Sequence, residues 1–404
     1  MKPLFFTVAA IAVSWLVVAP GLASAAGAYD PGASDSEIKI GNTWSYSGPA
    51  SGNSTIAREM AGYFKSVNDM GGVNGRKIVF DSLDDGYSPP KTVEDTRRLV
   101  EEDRVLLMFG QLGTPTNMAV RTYLNGRKVP QLFVTTGSNS LIDPKRYPWT
   151  MGLQASYALE SIVFAKYILA ERPNAKIGIL YQDDDFGGDH LDPFIAALGP
   201  KASSMIVAKA SYAVTDPTLT SQIISLESAG ADTLYLITQG RAAPQAVTTA
   251  RQQGGRDALI FVPFVATAKS IIGPAGDDNL KGVIATDSEM DPTDPAWAND
   301  PGVRDYLAWV KKYVPAQDQE SDSSNPGGYV PAEALVEVLK RCGDVLTRDN
   351  VMKVATSLHD MTLPLLLPGV MLNTSSDNYF PMHSVQLKQY DGKRWVLIGK
   401  PISG

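Results

Sequence analysis

Two loops rich in hydroxyl groups and glycine offer the chemistry of an anion-binding site. The first, FGQLGTPTN at residues 109–117, follows the apolar run at residues 105–108, and the second, TTGS, occupies residues 135–138. A loop of this kind after a strand can supply a nucleophile, cradle a phosphate or hold a small molecule. Thr114 with Pro115 is typical of a helix start, whose free N–H groups can bind a carboxylate. The alternative is that these hydroxyls only cap helices and turns.

Catalytic motifs are scarce in the sequence. It contains no G-x-x-x-x-G-K-[ST], G-x-S-x-G or G-x-G-x-x-G motif. A secreted α/β hydrolase that uses Ser138 or Thr114, supported by Asp184 and His190, is therefore only a remote alternative. We expect no enzyme.

Metal-binding patterns are equally weak. His190, His359 and His383 are far apart, and none has a partner at metal-ligand spacing. The acidic run at residues 183–185 lacks the alternating spacing of a calcium loop, so a solvated loop that caps the next helix is favoured. We expect neither a metal nor a cofactor.

Strands and helices alternate along most of the chain, which predicts parallel sheets covered by helices on both faces. A helix is expected at residues 54–69, and the alternation restarts after residue 152. A helix of the second half is expected to begin at about Asp189. The tail, at residues 382–398, reads as two paired strands around the Asp391-Gly392 turn. The predicted fold class is α/β, with two consecutive doubly wound lobes.

Ligands of open parallel sheets bind beyond the carboxyl ends of the strands. Trp44, Tyr46, Phe186 and Phe264 fall at predicted strand ends, where their rings can stack on a ligand. The full set of candidate ligand-binding residues is Trp44, Tyr46, Asn53, Gln111, Leu112, Gly113, Thr114, Thr136, Gly137, Ser138, Phe186, Gln239 and Phe264.

The first 25 residues match a secretory signal peptide. Lys2 precedes an apolar run at residues 4–19, and the ASA triplet at residues 23–25 predicts cleavage after Ala25. The alternative, an uncleaved membrane anchor, is disfavoured because the run is shorter than the roughly 20 residues that span hydrocarbon. Ala26 stands where a lipoprotein would need cysteine. These features predict a periplasmic protein.

Composition narrows the class of partner. The chain of 404 residues is long enough for two domains, and its net charge of −7 becomes −8 when cleavage removes Lys2. No block of basic residues stands out, so neither nucleic acid nor an anionic membrane is an expected partner. Cys342 is the only cysteine, which excludes an intramolecular disulfide and suggests a small buried residue.

Several segments lie in order over nearly all of the chain after the signal peptide: SGPAS, GGVNGRKI, the Asp84-Asp85 pair with PPK, FGQLGTPTN and YQDDDFG. Together they resemble the type I periplasmic substrate-binding proteins of ABC transporters, and among them the leucine/isoleucine/valine-binding proteins. The resemblance implies two α/β lobes, joined by a three-crossing hinge, that close on a ligand like a Venus flytrap. Its implied boundaries are lobe I at residues 26–152 and 286–362 and lobe II at residues 153–285 and 363–404, with crossings near Gly152, Thr286 and Leu363.

The resemblance also bears on the ligand. In the amino-acid-binding relatives, two loops hold the ligand carboxylate, and these loops correspond here to Thr114 and to residues 136–138. The acidic residue that holds the ammonium group corresponds to Phe264, and a neighbouring tyrosine corresponds to Gln239. A phenyl ring cannot pair with a buried cation, and leaving one unpaired is costly. The expected ligand is therefore a small apolar or aromatic carboxylate rather than an ordinary α-amino acid.

The function implied is that of the solute-binding component of an ABC importer. Its partners would be the ligand, an ABC permease and the ATPase subunits of that permease, and the protein itself is expected to be a monomer. Two alternatives from the same binding class remain: a ligand-sensing module for a membrane receptor, and a protein that binds branched-chain amino acids.

Overall fold

The computed structural model describes residue 1 and residues 27–253, 257–322 and 325–403. The predicted signal peptide lies outside these ranges apart from residue 1. Within them, no helix has both the length and the apolar character that a membrane crossing requires.

Strands and helices alternate as the sequence predicts. The strands are β1 (Ala28–Tyr29), β2 (Glu37–Trp44), β3 (Lys77–Asp84), β4 (Leu107–Phe109), β5 (Gln131–Val134), β6 (Thr150–Gly152), β7 (Ile177–Gln182), β8 (Ile206–Tyr212), β9 (Thr233–Ile237), β10 (Leu259–Phe261), β11 (Ile284–Asp287), β12 (Val345–Leu346), β13 (Ser384–Tyr390) and β14 (Trp395–Ser403). The helices are α1 (Ser54–Asp69), α2 (Pro89–Glu101), α3 (Thr114–Gly126), α4 (Tyr157–Glu171), α5 (Asp185–Leu198), α6 (Ala202–Met205), α7 (Thr220–Ser228), α8 (Ala242–Gln252), α9 (Lys269–Ile272), α10 (Asp277–Leu280), α11 (Pro301–Tyr313), α12 (Gln319–Asp322), α13 (Tyr329–Cys342) and α14 (Arg348–Ala355).

The first half of the chain builds a five-stranded parallel sheet in the order β3-β2-β4-β5-β6. Every residue of β4 and β5 is buried, as expected for strands that are covered on both faces. On one face, α1 places Met60 and Phe64 towards the sheet, and the Phe64 ring lies 5.1 Å from Phe80 and 5.6 Å from Phe109 between centroids. Apolar residues at this helical spacing fix α1 against the strands.

The second half builds a seven-stranded sheet in the order β14-β13-β11-β10-β9-β7-β8. Its strands from β7 to β11 pair in parallel, whereas β13 runs antiparallel to β11 and to β14. The pair β13–β14 is the hairpin predicted around Asp391-Gly392. The second sheet is therefore mixed, with an antiparallel edge added to a parallel core.

The helices between β11 and β13 return to the first half. Both α11 and α13 pack against α1, and β12 pairs in parallel with β1 near the start of the described chain. Cys342 lies at the end of α13 and is buried as a free thiol, and burial raises its pKa to about 12. This thiol is therefore inert near neutral pH.

Segments that cross between the two sheets are tied to one another. The amide of Gly152 donates to the carbonyl of Tyr379 at 3.2 Å, and Glu289 forms a bridge with Leu366. The second crossing, predicted near Thr286, lies close to the end of β11 at Asp287. The predicted division into lobes otherwise remains a prediction.

One predicted helix start needs correction, because α5 begins at Asp185 rather than near Asp189. The Asp184 side chain accepts from the amides of Phe186 at 3.0 Å and Gly187 at 3.3 Å, which caps the helix one turn earlier. A Cβ on Gly187 would lie 1.9 Å from the Gln182 carbonyl oxygen, so close packing requires a glycine there. Gly187 therefore lets the first turn of α5 pack against the end of β7.

Candidate ligand-binding site

A cavity, here called the primary chamber, lies between the two halves at the carboxyl ends of their strands. Six predicted residues line it: Asn53, Leu112, Gly113, Thr114, Phe186 and Gln239. Six further lining residues were not predicted: Ile56, Tyr87, Thr135, Gln154, Tyr157 and Val265. None of these side chains carries a formal charge in its ordinary ionisation state, so the wall is polar but neutral.

The start of α3 supplies the hydrogen-bond donors of this chamber that are suited to an anion. Gly113 takes a φ of +93°, and a Cβ there would lie 2.5 Å from the Tyr87 ring, so only glycine permits this approach. The Thr114 hydroxyl lies 2.8 Å from that of Thr136. Within the described chain the amide of Thr114 donates no hydrogen bond, as is normal in a first helical turn. This amide, the hydroxyl and the helix dipole together can bind a carboxylate.

Aromatic rings form the opposite wall. Tyr157 and Phe186 meet edge to face with centroids 5.4 Å apart, and Tyr157 stacks on His190 at 4.1 Å. Phe264 lies 5.9 Å from Tyr157 but lines a neighbouring cavity rather than the primary chamber. These rings offer an apolar surface suited to the body of an apolar or aromatic molecule.

Tyr87 and Gln239 connect the two halves across the chamber. The Gln239 amide nitrogen donates to the Tyr87 hydroxyl, although the two residues are 152 positions apart in the chain. Next to this pair, the amide of Arg241 donates to the Pro49 carbonyl at 3.1 Å. Both bonds join loops of opposite halves, which shows that the cleft is closed in this structure.

Several predicted site residues lie elsewhere. The Trp44 side chain is fully buried, and its indole N–H donates to the Asn53 carbonyl at 3.0 Å. Tyr46 hydrogen-bonds to Ser82 at 2.7 Å, away from the chamber. The Gln111 amide donates to Thr43 at 2.9 Å within the first half. These three residues support the strand ends instead of forming the wall.

The TTGS loop contributes less than predicted. Ser138 donates to the carboxylate of Asp189 and does not line the chamber. Thr136 lies behind Thr114, and a Cβ on Gly137 would lie 2.5 Å from the Ala155 carbonyl oxygen. Of this loop, only Thr135 reaches the wall. In this structure the Ser138 hydroxyl is bonded to a carboxylate of the protein, and the contact of Ser138 with an anion stays a prediction.

A buried acid and a buried imidazole lie behind the aromatic wall. The Oε1 atom of Glu160 accepts from the Phe264 amide at 2.9 Å and from the Thr286 hydroxyl at 2.6 Å. Its Oε2 atom lies 3.8 Å from Nδ1 of His190, and both side chains are completely buried. Burial raises the pKa of Glu160 to about 8 and lowers the pKa of His190 to about 3, so both groups are neutral near pH 7.

The buried imidazole contacts other groups than the hydroxyls named in the hydrolase alternative. Nδ1 of His190 lies 2.9 Å from the Tyr235 hydroxyl and 3.3 Å from that of Ser161, and neither Ser138 nor Thr114 contacts this imidazole. No cluster of potential metal ligands occurs among the residues that the structure describes.

Comparison with known proteins agrees with this geometry. The sequence model of the family described as periplasmic binding protein matches residues 37–394. Leu/Ile/Val-binding protein homolog 3 from Brucella melitensis biotype 1 is 24% identical over 302 residues, which are 73% of this chain and 75% of that protein.

Solved structures show the same fold. A branched chain amino acid ABC transporter protein from Thermus thermophilus with bound valine aligns with a TM-score of 0.82 and 17% identity, covering 92% of this chain and 98% of that one. A fatty acid ABC transporter substrate-binding protein from Thermomonospora curvata aligns with a TM-score of 0.77 and 20% identity, covering 94% and 95%.

Proposed function

Because the chain belongs to the periplasmic binding protein family, we propose that it is the solute-binding component of an ABC importer. Its ligand in this proposal is a small carboxylate with an apolar or aromatic body, which it delivers to a membrane permease driven by ATPase subunits. The observation that carries the proposal is the primary chamber, where the start of α3 faces aromatic rings between two closed halves.

The carboxylate end of the ligand is assigned to Thr114. A hydroxyl and a free amide at a helix start can donate two hydrogen bonds to one carboxylate, in the region where the helix dipole is positive. A hydrogen bond to a charged group contributes about 1.5–3 kcal/mol. Losing the hydroxyl bond should therefore weaken binding by roughly 10-fold or more.

The body of the ligand is assigned to the aromatic wall of Tyr157 and Phe186. No acidic side chain lines the primary chamber, so an α-ammonium group there would be buried without a charged partner. This supports an organic acid over an amino acid. Of the similar solved structures, one contains bound valine and another is a fatty acid transporter protein. The first keeps branched-chain amino acids as the competing ligand class.

Delivery follows from closure. A ligand that contacts Thr114 on one half and Phe186 on the other binds the closed form better than the open form, and it shifts the population accordingly. The contact between Tyr87 and Gln239 forms only when the halves meet, so it adds to the stability of the closed form. The closed surface is then what a permease recognises, and no bond of the ligand has to change.

The proposal is tested by titration calorimetry on ligand-free protein. The probes are benzoate, phenylacetate and 3-phenylpropanoate, compared with L-valine and L-leucine. We expect binding of at least one aromatic acid and at least tenfold weaker binding by Thr114→Val. Thr122→Val is the matched control, because Thr122 lies on the exposed side of the same helix. Binding of the amino acids without binding of the aromatic acids would reverse the proposed ligand class.

A further inference from the structure

A second cavity continues the primary chamber towards the crossing segments. It is here called the hinge-side chamber. Four residues line both cavities and form the neck between them: Ile56, Thr135, Gln154 and Val265. The two cavities therefore adjoin at these residues, and a ligand in the primary chamber has a neighbouring space beside it.

The hinge-side chamber has an apolar side and a polar end. Phe264, Ile271 and Met382 provide apolar surface. The polar end is formed by residues at and after the end of β11, including Asp287 and Glu289. The chamber thus suits an elongated molecule whose far end is polar.

Two carboxylates of this polar end differ in their partners. Asp287 is paired with Lys388, whose Nζ lies 2.5 Å from its Oδ2 and also donates to Thr267 at 3.0 Å. Glu289 lines the chamber, and within the described chain its carboxylate has neither an ion pair nor a hydrogen bond. Burial, reinforced by Asp287, raises the pKa of Glu289 to about 8. Lys388 contacts Asp287 and acts on Glu289 only at longer range, where it lowers the pKa of Glu289, so the Glu289 carboxylate is left as an acceptor without a bonded donor among the described residues.

The neck carries a second acceptor without a donor. The Oε1 atom of Gln154 is shielded from solvent and has no hydrogen-bond partner among the residues that the structure describes. Buried acceptors in proteins nearly always have a donor, so an unpaired one on the wall of a cavity points to a group supplied by the occupant. Gln154 and Glu289 are both acceptors, so both favour a ligand end that carries hydrogen-bond donors.

We propose that the ligand spans both chambers and that Glu289 binds a cationic ammonium group at the end opposite to its carboxylate, with Gln154 accepting a hydrogen bond along the way. This rests on the proposed function, which places the carboxylate at Thr114. The ligand class is then an elongated acid with a distal amine rather than an α-amino acid. An ammonium group beside Glu289 also favours the ionised carboxylate, because an opposite charge offsets its burial.

The test compares two series of ligands in titration calorimetry near neutral pH. One series is the ω-aminoalkanoates with four to ten carbons, and the other is the n-alkanoates in which a methyl group replaces the ammonium group. We expect one chain length at which the amino acid binds at least tenfold more tightly than its methyl counterpart. This comparison uses the unaltered protein and does not depend on any variant.

Variants then locate the contact. Glu289→Gln should remove the tenfold preference and leave the n-alkanoates within twofold. Glu333→Gln is the matched control, because Glu333 is another carboxyl group whose pKa burial raises, to about 7, but it lies on α13 and lines neither chamber. It should leave both series unchanged.

The outcomes separate the two proposals. If Thr114→Val weakens both series but no chain length shows the preference, or Glu289→Gln leaves it intact, the distal ammonium site is overturned and the carboxylate site stands. If Thr114→Val changes neither series, the proposed function fails at its carboxylate end. If neither series binds the unaltered protein, the distal ammonium site is overturned, and the carboxylate site is decided by the aromatic acids of the first experiment.

Discussion

Glu160 gives the protein a measurable dependence of stability on pH. Its side chain is completely buried, and Oε1 holds the Phe264 amide and the Thr286 hydroxyl next to the binding cleft. The substitution Glu160→Gln keeps an oxygen that accepts both bonds and removes the ionisable group. We therefore expect the variant to fold in the same way and to lose one component of the pH dependence.

The size and sign follow from the pKa values. Burial raises the pKa of Glu160 from 4.5 to about 8, so the folded state prefers the protonated form. The stability from this group is fully present below the unfolded pKa and is lost as pH rises through the folded pKa. At about 1.4 kcal/mol per pKa unit, the loss between about pH 5 and about pH 8 is roughly 3–4 kcal/mol.

Urea unfolding of both proteins across this pH range measures the effect as a difference. His190, whose pKa is lowered to about 3, acts in the opposite direction, because its stability is lost as pH falls below its unfolded pKa of 6.5. Its contribution is present in both proteins, and it largely cancels when Glu160→Gln is compared with the unaltered chain. We expect the stability advantage of the variant to grow by roughly 3–4 kcal/mol from about pH 5 to about pH 8. A constant difference over the range would refute the reasoning.

Two further predictions concern closure. Gly240→Ala should weaken ligand binding and leave the bound protein more open in small-angle X-ray scattering, because its Cβ would lie 2.5 Å from the Pro49 carbonyl oxygen across the cleft. Gly230→Ala is the control for the strain of a left-handed backbone, because Gly230 has a φ of +79° and no close backbone contact. This control should bind ligand normally. Tyr87→Phe removes the hydroxyl that accepts a hydrogen bond from Gln239. Stopped-flow measurements should show the ligand dissociating about 5–10-fold faster, as expected for the loss of a hydrogen bond of about 1 kcal/mol. An unchanged dissociation rate would mean that this bond does not stabilise the closed form.

The sequence predicted the architecture well because helices and strands follow from local patterns of apolar and polar residues. The helix at Ser54–Asp69 was predicted at its observed bounds, and the family comparison confirms the type I periplasmic binding protein fold. Errors arose where side-chain contacts with another element override the local helix propensity. The start of α5 was placed a turn too late because the capping by Asp184 and the packing of Gly187 depend on β7.

The site was predicted in part for a similar reason. Thr114 and Phe186 follow strands, and the rule for ligands at strand ends found them. Tyr87 follows β3 and could have been found by the same rule, but that strand end was not considered. Tyr157 starts the helix after a crossing, and only the three-dimensional path of the chain brings it to the wall. Trp44 shows the converse, since a ring at a strand end turned into the core.

The central claim is that a carboxylate ligand lies between the start of α3 and the aromatic wall. A crystal structure of the protein with the ligand that co-purifies from its native host tests this most directly. We predict electron density in the primary chamber, with a carboxylate oxygen about 3 Å from the Thr114 hydroxyl and amide. A ligand seated outside this chamber, or one that presents no anionic group to Thr114, would contradict the claim.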